Sequence, residues 1–357
     1  MGVRDADNHK LSLYPMEVTK VLKGEVDNSL LQVEIGVTNA CNNKCVYCSL
    51  QWIKRDRSYI DTPSLLNSFE DMKELGTRAV YFAGEGEPLL HKDLPKFVKK
   101  AYDSGIKVSM STNGLLLTEE KAKEILPYLS WMRTGLDAAT PETYEKVHGI
   151  NRDYFKRVIK NLETAAKIKR DNKYSVEIGI QSLALPNNIH EIENLTKIVR
   201  DIGVDNIQIK PYSTHPNIGQ NDLFVNPHDP VMKDLQRKVE SYETDDFTVV
   251  YRAQTMERQI TERPYDRCDG LHFWTLIEAH GNVVPCHVLY EKPEFFFGDI
   301  TKQTFKEIWT GPRRKEVLEE IAKMDKCNTC KDYKCRPDLF NRYMHRLNNP
   351  EKNDDFI

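Results

Sequence analysis

Three cysteines, Cys41, Cys45 and Cys48, stand in the run CNNKCVYC, a C-x3-C-x2-C spacing that places three thiols on one short loop. Three thiolates so placed can hold three irons of a [4Fe–4S] cube and leave the fourth iron open, which suits a cluster that binds a small molecule directly rather than only relaying electrons. The same thiols could also form a zinc loop. Five more cysteines lie towards the C-terminus, Cys268 and Cys286 in C-x12-G-x4-C around Gly281, then Cys327, Cys330 and Cys335 in C-x2-C-x4-C. Five thiols exceed the four that one further cluster or a zinc ribbon needs. Eight cysteines grouped in this way point to metal ligation rather than to a disulfide framework.

Other residues with chemical potential follow in order. GEGEP contains Glu85, Gly86, Glu87 and Pro88; STNG runs over 111–114 with Ser111 and Asn113; LDAAT runs over 136–140 with Asp137; IGIQSLALPNN brings Gln181. Glycine lets backbone approach a ligand closely, and a carboxylate suits an ammonium partner. IKPYSTH offers Lys210, Tyr212 and His215, of which a charged residue ending a strand can act as general base or substrate anchor. His148, His272 and His280 show no partner in the sequence and read as structural.

These segments must be held by regular elements. Short apolar, β-branched runs at about 31–38, 78–83, 106–111, 131–137, 175–182 and 205–210 alternate with helical stretches, the signal of βαβ units around a parallel sheet. Leu65, Leu66, Phe69, Met72 and Leu75 recur at helical spacing before Gly76, and Phe155, Val158, Ile159, Leu162 and Ala166 do so again. Each motif then falls at the C-terminal end of a strand, the edge where barrel sites assemble. Arg133, midway along the fourth strand, points inward or outward; alternation alone does not decide. The pattern breaks after Lys210, and a domain boundary falls near 250. The hairpin pattern of TLIEAHGNVVPC lies beyond it.

At 357 residues the chain can hold one large and one smaller module. Charged residues total 29% and nearly cancel to a net charge of -3, so there is no basic excess for a nucleic-acid backbone. No apolar run approaches the ~20 residues of a membrane span, and the start lacks a signal peptide, so the expected location is cytoplasmic, with no membrane partner.

The cysteine loop, with the aromatic Tyr47 before its last cysteine, resembles the signature of the radical S-adenosylmethionine (SAM) superfamily, and the ordered motifs over about 31–215 extend the resemblance. In that family SAM chelates the open iron, and its reductive cleavage yields a 5′-deoxyadenosyl radical that abstracts hydrogen. The resemblance implies that Cys41, Cys45 and Cys48 hold the SAM-binding [4Fe–4S] cluster. It implies that Tyr47, Glu85, Gly86, Glu87, Ser111, Asn113, Asp137 and Gln181 contact SAM. The later cysteines resemble the SPASM/twitch domain, and five fit one auxiliary [4Fe–4S] cluster, four of Cys268, Cys286, Cys327, Cys330 and Cys335 being ligands and one spare.

The expected architecture is α/β: a partial (β/α)6 TIM-like barrel over 28–250, a small twitch/SPASM-like iron–sulfur domain over 251–345, an N-terminal extension over 1–27 and a tail over 346–357. The ending CRPDLFNRYMHRLNNP resembles members associated with carbohydrate pathways. The expected reaction is therefore dehydrogenation or epimerisation of a sugar or aminocyclitol-like small molecule, with Lys210, His215 and Tyr212 as catalytic candidates and a flavodoxin or ferredoxin as reductant. A peptide-modifying maturase is the alternative. The short stretch before the first strand is too small for the peptide-recognition domain such enzymes commonly carry. A non-catalytic iron–sulfur carrier has no need of the motifs around Glu87.

Overall fold

The computed structural model describes residues 10–25, 29–213, 215, 217–218, 222–324, 330 and 336–350. Ten strands form one sheet: β1 (Gln32–Ile35), β2 (Ala79–Phe82), β3 (Lys107–Thr112), β4 (Trp131–Gly135), β5 (Glu177–Ala184), β6 (Asn206–Pro211), β7 (Thr248–Tyr251), β8 (Trp274–Ile277), β9 (Asn282–Val284) and β10 (Gly298–Asp299). Their order is β10-β9-β8-β1-β2-β3-β4-β5-β6-β7. All neighbours from β8 across to β7 are parallel, whereas β9 pairs antiparallel with both β8 and β10.

Parallel neighbours need long crossovers, and helices supply them. After α1 (Pro15–Leu22) come α2 (Thr62–Glu74), α3 (Leu94–Asp103), α4 (Glu119–Ile125), α5 (Pro141–His148), α6 (Tyr154–Asn172), α7 (Ile192–Asp201), α8 (Pro230–Glu240), α9 (Ala253–Ile260), α10 (Phe305–Thr310), α11 (Pro312–Lys323) and α12 (Asp338–Asn348). Local chemistry starts them: Asp61 caps α2 by accepting from the Ser64 amide, and Thr118 and Thr140 do the same for α4 and α5. α2 then buries Leu65, Phe69 and Met72 completely against the sheet, each worth about 1.5–3 kcal/mol. Among the described residues no helix is long and apolar enough to cross a membrane.

Strand alternation separates core from site. Val33, Val80, Phe82, Val108, Met110, Ile180 and Ile209 face the helices and are fully buried. Their neighbours Glu34, Tyr81, Ser111, Gln181 and Lys210 turn to the interior and line a cavity.

The six expected strands are present as β1–β6, and the α/β fold with a parallel core and antiparallel C-terminal strands is the one expected. The sheet continues past the expected boundary. β7 lies across residue 250 and pairs with β6, and β8 pairs in parallel with β1, so the hairpin beyond the boundary belongs to the same sheet. A short TVVY run after a polar loop carries too little pattern to mark β7. The N-terminal segment is also built in: Leu11 and Val18 pack with Leu31, Phe273 and Met344 of α12.

Candidate active site

A cavity of about 510 Å³ opens beyond the C-terminal ends of the parallel strands, with Cys41 and Cys45 on its wall. The cysteine loop is braced from several sides. Asn39 donates to Asp56 at 2.7 Å and accepts from the Ser58 amide at 2.9 Å, and the Glu87 amide donates to the Ala40 carbonyl at 2.9 Å. Gly86 permits that last approach: a Cβ there would stand 2.2 Å from the Ala40 oxygen. From the other side Asn113 donates to Asn42 at 2.6 Å.

Two of the three thiols have N–H groups at hydrogen-bonding range. Nδ1 of His148 is 3.5 Å from Cys45 Sγ, and Nη2 of Arg55 is 3.6 Å from Cys48 Sγ. The Asp137 amide donates to His148 Nε2 at 3.1 Å, so the ring's proton sits on Nδ1 and faces the sulfur. His148 is buried, and burial takes its pKa down to about 3; it is neutral. The 3.6 Å approach of its Nε2 to the Asp137 carboxylate is accordingly not an ion pair. Burial pushes the Cys41 and Cys45 thiols upward, so ionisation requires a bound cation. The Tyr47 hydroxyl, beside Asp137 and Cys45, is pushed well above its ordinary value, chiefly by burial.

Glu87 is fixed by three donors: the Leu89 amide at 3.0 Å, Thr112 Oγ1 at 2.6 Å and the Asn113 amide at 2.7 Å. Burial raises its pKa against these bonds. Gly86, Glu87, Ser111, Asn113, Gln181 and Tyr47 line the cavity. Two expected SAM contacts are not on the wall. Glu85 turns away to accept from the Ala279 amide at 2.9 Å, and Asp137 accepts from the Leu183 amide at 2.6 Å as a strut between β4 and β5.

Part of the cavity wall is basic. Lys210, Arg252, Arg258 and Arg336 line it. Burial, then Arg252, Arg336 and Arg133, bring the Lys210 pKa down to about 7, with Asp137 opposing. The carboxylates on the wall are already engaged: Glu34 with His287 at 3.0 Å and Arg336 at 2.9 Å, and Asp338 with Tyr265 at 2.7 Å and Arg342 at 3.1 Å. Arg133 does face inward, in register with Ser111, with its guanidinium 4.3 Å from the Trp131 ring centroid. Tyr212 and His215, expected beside the substrate, do not contribute to this wall. Tyr212 packs with Leu183, Leu185 and Leu223, and His215 is buried with its ring 5.2 Å from that of Trp52. No local pattern encodes these surroundings of Tyr212 and His215.

In the C-terminal region Cys268, Cys286 and Cys330 lie together. Burial, then the charges of Cys330 and Cys268, push the Cys286 thiol up to about 12. Cys327 and Cys335 lie outside the described residues.

The donor sets fit the implied clusters. The described cysteines are free of disulfides. Among the described residues no three His, Cys, Asp or Glu side chains are drawn together around a single ion. The pocket beside the loop is lined by both carboxylates and cations, among them Glu87, Glu34, Lys210 and Arg252. No local motif marks His148, Arg55, Arg252, Arg258 or Arg336 for this site. Four arginines spaced over 252–267, among Glu257, Glu262 and Asp266, are the one visible hint.

Residues 35–199 match the family model of the radical SAM superfamily, and residues 268–331 match that of an iron–sulfur cluster-binding domain, SPASM. A probable GTP 3′,8-cyclase of Saccharolobus islandicus is 28% identical over 214 residues, covering 60% of this chain and 64% of that protein. The match thus spans less than two thirds of that relative. A probable GTP 3′,8-cyclase of Methanococcus vannielii is 24% identical, over 63% of this chain and 73% of its own. Among solved structures, Streptococcus suis SuiB bound to S-adenosylmethionine superposes with a TM-score of 0.64 at 17% identity, over 96% of this chain and 79% of SuiB. AnSMEcpe with bound AdoMet gives 0.57 at 18% identity, over 90% and 94%. These two likenesses show the fold.

Proposed function

We propose, from the premise that this chain is a radical SAM protein with a C-terminal iron–sulfur cluster-binding domain, that it takes a hydrogen atom from a polar, anionic substrate held against the basic wall and completes its oxidation. The two domains imply a [4Fe–4S] cluster with SAM and auxiliary iron–sulfur chemistry. When bound, these groups supply a carbon radical that removes a hydrogen atom and a centre that exchanges an electron. The enzyme then needs a one-electron reductant such as a flavodoxin or ferredoxin.

In this reading Cys41, Cys45 and Cys48 hold the first cluster. Cys268, Cys286 and Cys330 hold an auxiliary one, with a further ligand from outside the described residues. Gly86 and Glu87 receive the amino group of SAM, and Ser111, Asn113 and Gln181 border the rest of it. Arg252 and Arg258 hold the substrate's anionic group. Lys210 Nζ, partly neutral near pH 7, accepts the proton that an oxidation must release.

One observation carries the substrate class: Lys210, Arg252, Arg258 and Arg336 line the wall, where Glu34 pairs with Arg336 and Asp338 with Arg342. The GTP named for the relatives is itself a polyanion. The carbohydrate substrate expected from the chain's ending finds no support in these relatives. A second reading, a peptide-modifying enzyme, draws on the fold shared with SuiB, which has been crystallised with its precursor peptide SuiA.

The test is anaerobic incubation of the reconstituted protein with SAM, dithionite and separate panels of nucleotides, sugar phosphates and acidic peptides, read by mass spectrometry. A phosphorylated product lighter by two hydrogen atoms supports the first reading, and a modified peptide supports the second. A product isomeric with its substrate, and heavier by one mass unit when the incubation is run in heavy water, contradicts oxidation and indicates epimerisation.

A further inference from the structure

We infer that His148 and Arg55 are N–H···S donors to two of the first cluster's three thiolates and thereby set its reduction potential; this rests on Cys41, Cys45 and Cys48 being that cluster's ligands. Each donor is aimed by anchors of its own. The His148 Nδ1–H faces Cys45 Sγ because Nε2 is occupied by the Asp137 amide. The ring is held between Tyr144 and Tyr47, with centroids 4.6 and 5.9 Å away.

Its backbone is fastened to the same loop. The Lys44 amide donates to the His148 carbonyl and the Val46 amide to the Val147 carbonyl, both at 3.0 Å. Gly149, at φ 60, lets the chain turn there, since a Cβ would stand 2.3 Å from the Lys44 oxygen. Arg55 reaches Cys48 while its other terminal nitrogen donates to the carbonyls of Asn39, at 2.9 Å, and Glu85.

A histidine that merely filled space beside Tyr144 would have no reason to turn its one N–H onto a sulfur. A second donor on a second sulfur of the same loop makes the arrangement a pattern. Its effect follows from charge. The reductant gives up one electron and the cluster gains it, so negative charge on the sulfurs grows while no proton moves. N–H donors in a buried site stabilise that more negative state preferentially and raise the potential. A cluster tuned in this way is easier for a flavodoxin-type donor to reduce.

The experiment is a potentiometric titration of the reconstituted holoenzyme followed by electron paramagnetic resonance, with the first cluster's signal identified by its change on adding SAM. His148→Phe, which keeps a ring without the donor, should shift that midpoint to a more negative value, and His148→Gln, which returns an N–H, should recover part of the shift. A His148→Phe midpoint equal to that of the unmodified protein overturns the inference. Should His148→Phe take up no cluster, Arg55→Leu, which has no donor, decides: a negative shift supports the inference and an unchanged midpoint overturns it. Unmodified protein with no SAM-sensitive signal overturns the cluster assignment itself, a distinct outcome.

Discussion

The Glu85 carboxylate accepts a hydrogen bond from the Ala279 amide at 2.9 Å, tying the loop after β2 to the turn between β8 and β9, 194 residues further on. The first cysteine loop and the C-terminal hairpin are thereby parts of one structure. Burial, reinforced by Glu278, raises the Glu85 pKa from 4.5 to about 8. The folded protein therefore holds a proton there that the unfolded chain releases, and stability falls as pH rises from about 4.5 to about 8. A tenfold change in proton affinity is worth about 1.4 kcal/mol, so the loss over that range is at most on the order of 5 kcal/mol. Glu85→Gln should lose less melting temperature between pH 5 and pH 8 than the unmodified protein. Parallel losses would contradict this account of Glu85.

Glu87 already accepts three hydrogen bonds, so Glu87→Gln would turn an amide NH2 group towards Thr112, Leu89 or Asn113 donors. The expected result is a stability loss of about 1–3 kcal/mol in addition to weakened SAM binding. Denaturant unfolding and equilibrium binding of SAM, both anaerobic, measure the two effects. Unaltered values in both would remove Glu87 from the site.

Reconstituted protein should carry about eight irons per chain, as two [4Fe–4S] clusters. Cys286→Ala should leave about four and abolish product while some deoxyadenosine persists. Iron analysis with zinc determined in parallel checks the count. Retention of all iron by the variant, or zinc in its place, would contradict the auxiliary assignment.

Lys210, titrating at about 7, predicts product formation that rises with pH through 7 and then levels, because the neutral amine is the form that takes a proton. Lys210→Arg keeps the charge but cannot take up that role, and should lower product at least ~100-fold, far more than it lowers deoxyadenosine. A pH profile unchanged in the variant would exclude Lys210 as the base.

How much of this is legible in the sequence depends on the range of each interaction. The cysteine spacing and the β-branched runs are local, and the loop at 41–48 and strands β1–β6 follow from them. Arg133 is undecided in the sequence because alternation gives two faces without naming either; its register with Ser111 fixes it inward. His148 reads as structural because its partner Cys45 lies 103 residues away. Arg55 carries no signal although it follows Cys48 by seven positions, since its bonds depend on how the loop folds over Asn39 and Glu85. Glu85 and Glu87 look alike in GEGEP, and the neighbouring hairpin separates their roles.

The most direct measurement of the central claim is anaerobic cleavage of SAM by the reconstituted protein with dithionite, quantified as 5′-deoxyadenosine and methionine. The unmodified protein should form both, and Cys45→Ala, lacking a ligand of the open cluster, should form neither. Fully iron-loaded unmodified protein that leaves SAM intact, with or without the substrate panels, would contradict the account.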